Sequence, residues 1–252
     1  MIISRASDID MLSEGGHLLA LVLNDVVRET KPGIKTKHLD EVAERGIRKV
    51  GGTPSFKNYK TRGTKISYPA SLCVSVNDEV VHAIPGEKAL VSGDIVGLDI
   101  GMKYKGFYTD MAVTVGVGEI EKENQRLIDV TKKSLALGIS VVRPCARVGD
   151  IGATIQKYAE GERFGVVREL VGHGVGLAVH EEPEIPNWGR AGTGHELVEG
   201  MVLAIEPMLT IGLPHVKVSR DGWAWKTQSG KPAAHFEHTI IITKTGAKII
   251  TQ

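Results

Sequence analysis

The chain has 252 residues, long enough to bury a substantial core as one large domain or two small ones. Its 31 Lys and Arg against 30 Asp and Glu leave no global field to attract DNA or an anionic membrane, so function falls to a local site. Two cysteines, Cys73 and Cys145, exclude a disulfide framework and fit a reducing compartment.

Near the start, Arg5, Asp8 and Asp10 interrupt any signal-peptide core. The apolar run at 18–23 stops at Asn24 and Asp25, far short of a membrane span. A cytoplasmic protein with no membrane partner is expected. Ile9, Leu12, Leu19, Leu23 and Val27 recur at helical spacing until Pro32 and Gly33 break the pattern. A second helix is expected after Thr36 as N-cap, with Leu39, Val42, Ala43 and Ile47 on one face. Strands are expected at 71–76, 94–100 and 107–115, with a turn at 101–106.

The second half repeats this order. Helices are expected at 121–142 and from about 150 to 160, broken at Pro144, followed by strands at 201–206, 208–211, 215–219 and 235–250. Pro32 and Pro144 each precede an apolar residue, Leu39 and Ile151, by seven positions. The expectation is one α+β domain over 1–252. Two pseudo-symmetric halves, about 1–118 and 119–252, would share a curved sheet with a ligand cleft between them.

Acidic residues appear where apolar strands should exclude them. Asp99 follows a nearly continuous apolar strand and Asp110 lies inside the next, while Glu206 and Glu237 flank the apolar runs 201–205 and 240–242. Each alone also reads as a strand-end or solvated edge charge. Brought together and buried, they would repel one another unless protonated or bridged by a cation. The segment GHGVGLAVHEEP at 172–183 adds His173 and His180 among three glycines, without zinc-finger or helical HExxH spacing. Four carboxylates and one imidazole suit Mn, Fe(II), Co or Zn, and bridging carboxylates can hold two ions about 3.5–4 Å apart.

The segments PASLCVSVNDEVVHAIPG, LDIG, YTDMA, GHGVG, HEEP, EGMVLAIEPM and FEHTI together resemble the methionine aminopeptidases of the bacterial type I class, in metallopeptidase family M24. The resemblance runs from about residue 5 to the C-terminus and implies the pita-bread fold. It also implies removal of the N-terminal methionine from nascent proteins, favouring a small second residue, by hydrolysis at two divalent ions (Co, Mn, Fe(II) or Zn). Asp99, Asp110, His173, Glu206 and Glu237 fall on that family's metal ligands. Asp110 and Glu237 would bridge the ions, Asp99 would bind one, and His173 and Glu206 the other. Glu206 would shuttle protons, His180 would stabilise the oxyanion, and His82 would orient the substrate or its leaving group. Tyr68, Cys73 and Trp223 fall on the pocket for the methionine side chain.

Two departures bear on that pocket. Residues 56–71 are longer than the family's usual segment there, and Val179 stands before His180 where many relatives carry an aromatic ring. Lys57, Lys60, Arg62 and Lys65 in that segment read either as a solvated basic loop or as a contact to ribosomal RNA. A monomer is expected, since no segment stands out as an extra interface.

Rival readings are weaker. The proline-directed peptidases of the same fold usually carry a large N-terminal domain, and His82 lies too close to the start for one. The eukaryotic-type enzymes need a late helical insertion, and only 25 residues separate His180 from Glu206. A catalytically dead peptide-binding relative would have lost metal ligands.

Overall fold

The computed structural model describes residues 2–60 and 66–252; Arg62 and Lys65 of the basic segment lie outside them. The chain opens with helices α1 (Ala6–Glu29) and α2 (Thr36–Lys49). Leu12, Leu19, Leu23 and Val26 form the buried stripe of α1, and Leu39, Ala43 and Ile47 that of α2. Thr36 is not the N-cap. Lys35 takes that position, and the Thr36 hydroxyl is engaged by Gly86, accepting from its N–H at 2.8 Å and donating to its carbonyl at 3.1 Å.

Five strands follow: β1 (Thr53–Pro54), β2 (Leu72–Val76), β3 (Glu79–Val81), β4 (Ile95–Tyr104) and β5 (Phe107–Gly116). The expected turn at 101–106 is shorter in the fold. Strand β4 continues to Tyr104, and only Lys105 and Gly106 turn, both with positive φ (47° and 94°). Such a two-residue turn matches strand twist and keeps Gly101 in register.

Helices α3 (Lys122–Ser140) and α4 (Val148–Gly161) open the second half. Then come β6 (Phe164–Val166), β7 (Gly172–Gly174), β8 (Glu181–Ile185), β9 (Val202–Ile205) and β10 (Met208–Ile211). The chain ends with β11 (Val216–Val218), β12 (Trp225–Thr227), β13 (Ala233–His235), β14 (Glu237–Ile242) and β15 (Ala247–Ile249). The expected strand at 235–250 is divided: His235 ends β13, and β14 and β15 follow, paired antiparallel with each other. The glycines around His173 form strand β7 rather than a loop, because Gly172 and Gly174 admit close neighbours. A Cβ on Gly174 would lie only 2.9 Å from the Glu182 carbonyl carbon.

Both halves feed one sheet of nine strands in the order β1-β4-β5-β14-β9-β7-β8, with β2 added on β4 and β15 on β14. The seam between the halves is the β5–β14 pair. Helices α1 and α2 bury one core cluster with β2, β4 and β5, and α3 and α4 bury another with the strands of the second half. Two three-stranded sheets, β13-β10-β6 and β11-β12-β3, complete the fold.

The seam carries a side-chain clamp. The buried Thr239 hydroxyl accepts from the Asp110 N–H at 2.9 Å and donates to the Asp110 carbonyl at 2.8 Å. Thr239→Val keeps the shape but leaves two buried backbone groups unpaired, so it should cost about 1–3 kcal/mol. Urea unfolding midpoints check this; an unchanged midpoint with unchanged m would show that the clamp contributes nothing.

Candidate metal centre

Alternation along the strands sorts the main sheet into two faces. Val96, Leu98, Ile100 and Met102 of β4, with Met111, Val113 and Val115 of β5, pack into the cluster under α1 and α2. Asp99, Gly101, Asp110 and Ala112 therefore face away from those helices. Cys73, Asp99, Ala112 and Glu237 are successive cross-strand partners on β2, β4, β5 and β14. Since His238 pairs with Ile205, Glu206 falls beside Glu237, one step past the end of β9. In the adjacent row Gly101 faces Asp110, Asp110 bonds Thr239, and Ala204 links Thr239 to His173. The five residues read from sequence as ligands thus stand on two neighbouring rows of one sheet face.

One cavity of about 120 Å³ is lined by these five residues and by His82, His180, Tyr68, Cys73 and Trp223. All ten residues singled out in the sequence meet there. Phe56 and Tyr59 complete the wall, and neither was anticipated. Phe56 reaches the site because residue 55 continues the pairing of β1 along β4, with Ser55 N–H donating to the Gly101 carbonyl at 3.1 Å. No side chain at Gly101 stands in its way. A Cβ there would fall 2.7 Å from the Phe56 ring.

The imidazole orientations follow from their second nitrogens. His173 Nδ1 lies 2.9 Å from the Gly174 carbonyl, an acceptor only, so Nδ1 carries the proton and Nε2 presents a lone pair to the carboxylates. That Nε2 is 3.6 Å from Glu206 Oε1. His180 stacks at a tilt on His173, with ring centroids 4.3 Å apart, and its Nδ1 is 2.7 Å from the Tyr59 hydroxyl. His82 follows β3 with a left-handed backbone (φ 60°), a conformation that a non-glycine residue holds only when its surroundings enforce it.

The apolar end of the cavity is a small cluster of Tyr68, Ala70, Cys73 and Trp223, against which Phe56 and Ile84 pack. The Tyr68 hydroxyl donates to the Leu72 and Ala83 carbonyls, and the Tyr68 ring meets Trp223 edge-on at 5.2 Å. Asp221 fixes the loop under Trp223 by accepting from the Trp223 N–H at 2.8 Å and the Ala224 N–H at 3.0 Å. Burial, with Asp99 beside it, raises the Cys73 thiol well above its ordinary range, so it is a neutral wall residue and no nucleophile.

The electrostatics favour a bound cation or retained protons. Burial pushes Glu206 up to about 8 and Asp99 up to about 6. Burial, with neighbouring carboxylates adding to it, holds Asp110 and Glu237 well above the carboxylate range. Burial also lowers His82 and His235 to about 4 and His173 to about 3. Asp99 Oδ1, Asp110 Oδ1, Glu237 Oε1 and His235 Nε2 are buried without a hydrogen-bond partner. Among the described residues, two sets of three donors lie within 4.8 Å of one another: Asp110, His173 and Glu237, and Glu206, His235 and Glu237. Buried, unpaired oxygen and imidazole donors converging on one space are what a divalent ion satisfies.

Comparison with known proteins agrees with this chemistry. The model of metallopeptidase family M24 matches residues 10–244. The chain belongs to metallopeptidase family M24. It is 46% identical to methionine aminopeptidase 1 of Bacillus subtilis over 245 residues, 97% of this chain and 96% of that protein. It is 45% identical to the methionine aminopeptidase of Clostridium perfringens over 251 residues, 100% of this chain and 98% of that one. The crystal structure of methionine aminopeptidase from Rickettsia prowazekii superposes with a TM-score of 0.96 at 39% identity, covering 100% of both chains. Within family M24 the chain is of the bacterial type I methionine aminopeptidase class, a metal-dependent hydrolase with the α+β pita-bread fold.

His235 is the ligand-type residue that sequence reading passed over. Its signal was the period of two: His235 and Glu237 flank Phe236, so an extended chain sends both the same way. Tyr59 left no such signal, because its partner His180 is 121 residues distant.

A pH dependence follows. In the metal-free chain the raised carboxylates retain protons that the unfolded chain has lost, so their contribution falls as pH rises toward the folded value, about 8 for Glu206. The lowered histidines act oppositely, but only up to their unfolded value near 6.5. From pH 6.5 to about 8 only the carboxylates act. The Tm of chelator-treated protein should fall over that interval, and the Tm gain from added Mn(II) should grow. Calorimetry with and without the ion decides; a metal-free Tm that rises over the interval refutes this electrostatic account.

Proposed function

We propose that the chain, acting as a single catalytic domain and a monomer, removes the N-terminal methionine of nascent proteins at a pair of divalent ions. Asp99, Asp110, His173, Glu206 and Glu237 would hold them. The observation that carries this reading is the convergence of these five side chains, two further histidines and an apolar aromatic pocket on one small cavity. Co, Mn, Fe(II) and Zn all fit the donor set. The ions, when bound, polarise the first peptide carbonyl and lower the pKa of the attacking water.

The residues divide the remaining work. Glu206, at the carboxylate end of the cavity, would take a proton from the water and return it to the leaving amine. Tyr59 O–H, donating to His180 Nδ1, leaves Nε2–H to donate to the developing oxyanion. His82, neutral through burial, is placed to orient the scissile nitrogen. The methionine side chain enters the cluster of Tyr68, Cys73 and Trp223, where a thioether meets aromatic edges. The free amine of the substrate would bind at the carboxylate end of the cavity, near a metal, so that only the first residue is cut. Among the described residues no helix is long and apolar enough to cross a membrane, in keeping with a cytoplasmic site of action. Ribosome contact through the basic segment has less support, because Lys57 is engaged by Glu44 at 2.7 Å.

Metal-free protein titrated with Fe(II), Mn(II), Co(II) and Zn(II) should cleave Met-Ala-Ser well above Leu-Ala-Ser and leave Ala-Pro intact. Preference for the Leu or Pro peptide overturns the substrate; activity without metal overturns the mechanism. His180→Ala should lower kcat by about 10²–10³. Tyr59→Phe should lower it less, by about tenfold, with metal content unchanged.

A further inference from the structure

Glu206 stands between two imidazoles. His173 Nε2 approaches one of its oxygens at 3.6 Å, and His235 Nε2 approaches the other at 3.4 Å. His235 Nε2 also lies 3.9 Å from Glu237 Oε2. The His235 side chain is only 3% exposed, and its Nε2 has no hydrogen-bond partner. An N–H···O bond prefers about 2.7–3.2 Å, and both of these separations exceed it. They match the edges between neighbouring ligand atoms around one ion, given metal–ligand bonds of about 2.0–2.2 Å.

The backbone of His235 is fixed from both sides. Its N–H donates to the Thr114 hydroxyl at 2.9 Å, and that hydroxyl donates back to the His235 carbonyl at 2.8 Å. Thr114 belongs to β5, the strand of Asp110, so one strand fixes both residues. Strand β13 pairs with β10, Met208 facing His235, which ties the ring to the strand just after Glu206.

We propose that His235 is a further metal ligand, binding through Nε2 the ion that it shares with Glu206 and Glu237. This rests on the dinuclear reading above and adds a second imidazole to it. A centre with two nitrogen donors leans further toward Zn and Co, relative to Mn, than one with a single imidazole.

The test needs no turnover. Metal-free wild-type and His235→Gln proteins are titrated with Co(II), followed by calorimetry and by the visible absorption of the bound ion. His235→Gln should weaken one of the two binding steps at least tenfold and change the absorption of that ion. In the wild type loaded with two Zn(II), X-ray absorption should show two imidazoles per protein. Unchanged affinity and absorption in the variant, or one imidazole in the wild type, overturns the proposal, even if kcat falls. His235 would then only position Glu206. No Co(II) uptake by the wild type would overturn the dinuclear reading and this proposal together.

Discussion

Four carboxylates share one face of one sheet with no lysine or arginine among the residues that line their cavity. Burial raises all four, neighbouring carboxylates add to it at Asp99, Asp110 and Glu237, and three of their oxygens have no hydrogen-bond partner. Left to itself this arrangement opposes folding. It becomes an asset once divalent charge enters, because the repulsion that costs stability in the metal-free chain becomes ligand field for the ion. The rest of the structure serves to keep those groups from moving apart.

Two threonines do much of that. Thr239 clamps the backbone of Asp110 across the seam, and Thr114 clamps that of His235 in the same two-way manner. Both are buried and lie on the strands that join the two halves. Asp99, Asp110, His173 and Glu237 therefore ride on hydrogen-bonded strands, and Glu206 directly follows one, which confines their positions. The helices press on the opposite face, so packing errors there reach the centre only through the sheet.

The aromatic wall of the cavity is built differently. Tyr68, Trp223 and Tyr59 come from connecting segments held by individual bonds: Tyr68 to two carbonyls, Trp223 through Asp221, and Tyr59 to His180. The carboxylates are held by the sheet, whereas this wall is held by bonds from connecting segments. Phe56 and Tyr59, from the segment that precedes Tyr68, stand at the cavity, and Val179 is not among its lining residues.

The amino-acid sequence alone determined the class of site. Asp99, Asp110, Glu206 and Glu237 each stand in or beside an apolar run, and those four with His173 form a donor set that suits a divalent cation. The helix breaks at Pro32 and Pro144 were likewise legible, since proline acts on its own neighbours. Tertiary structure decided what depends on partners remote in the chain. It extended β4 through Gly101, made a strand of the glycines around His173, and took the Thr36 hydroxyl away from its helix for Gly86. It also brought His235 to Glu206 and Tyr59 to His180. Periodicity reports which face a residue takes on its own strand, whereas cross-strand register, set by the whole sheet, decides which residues meet there.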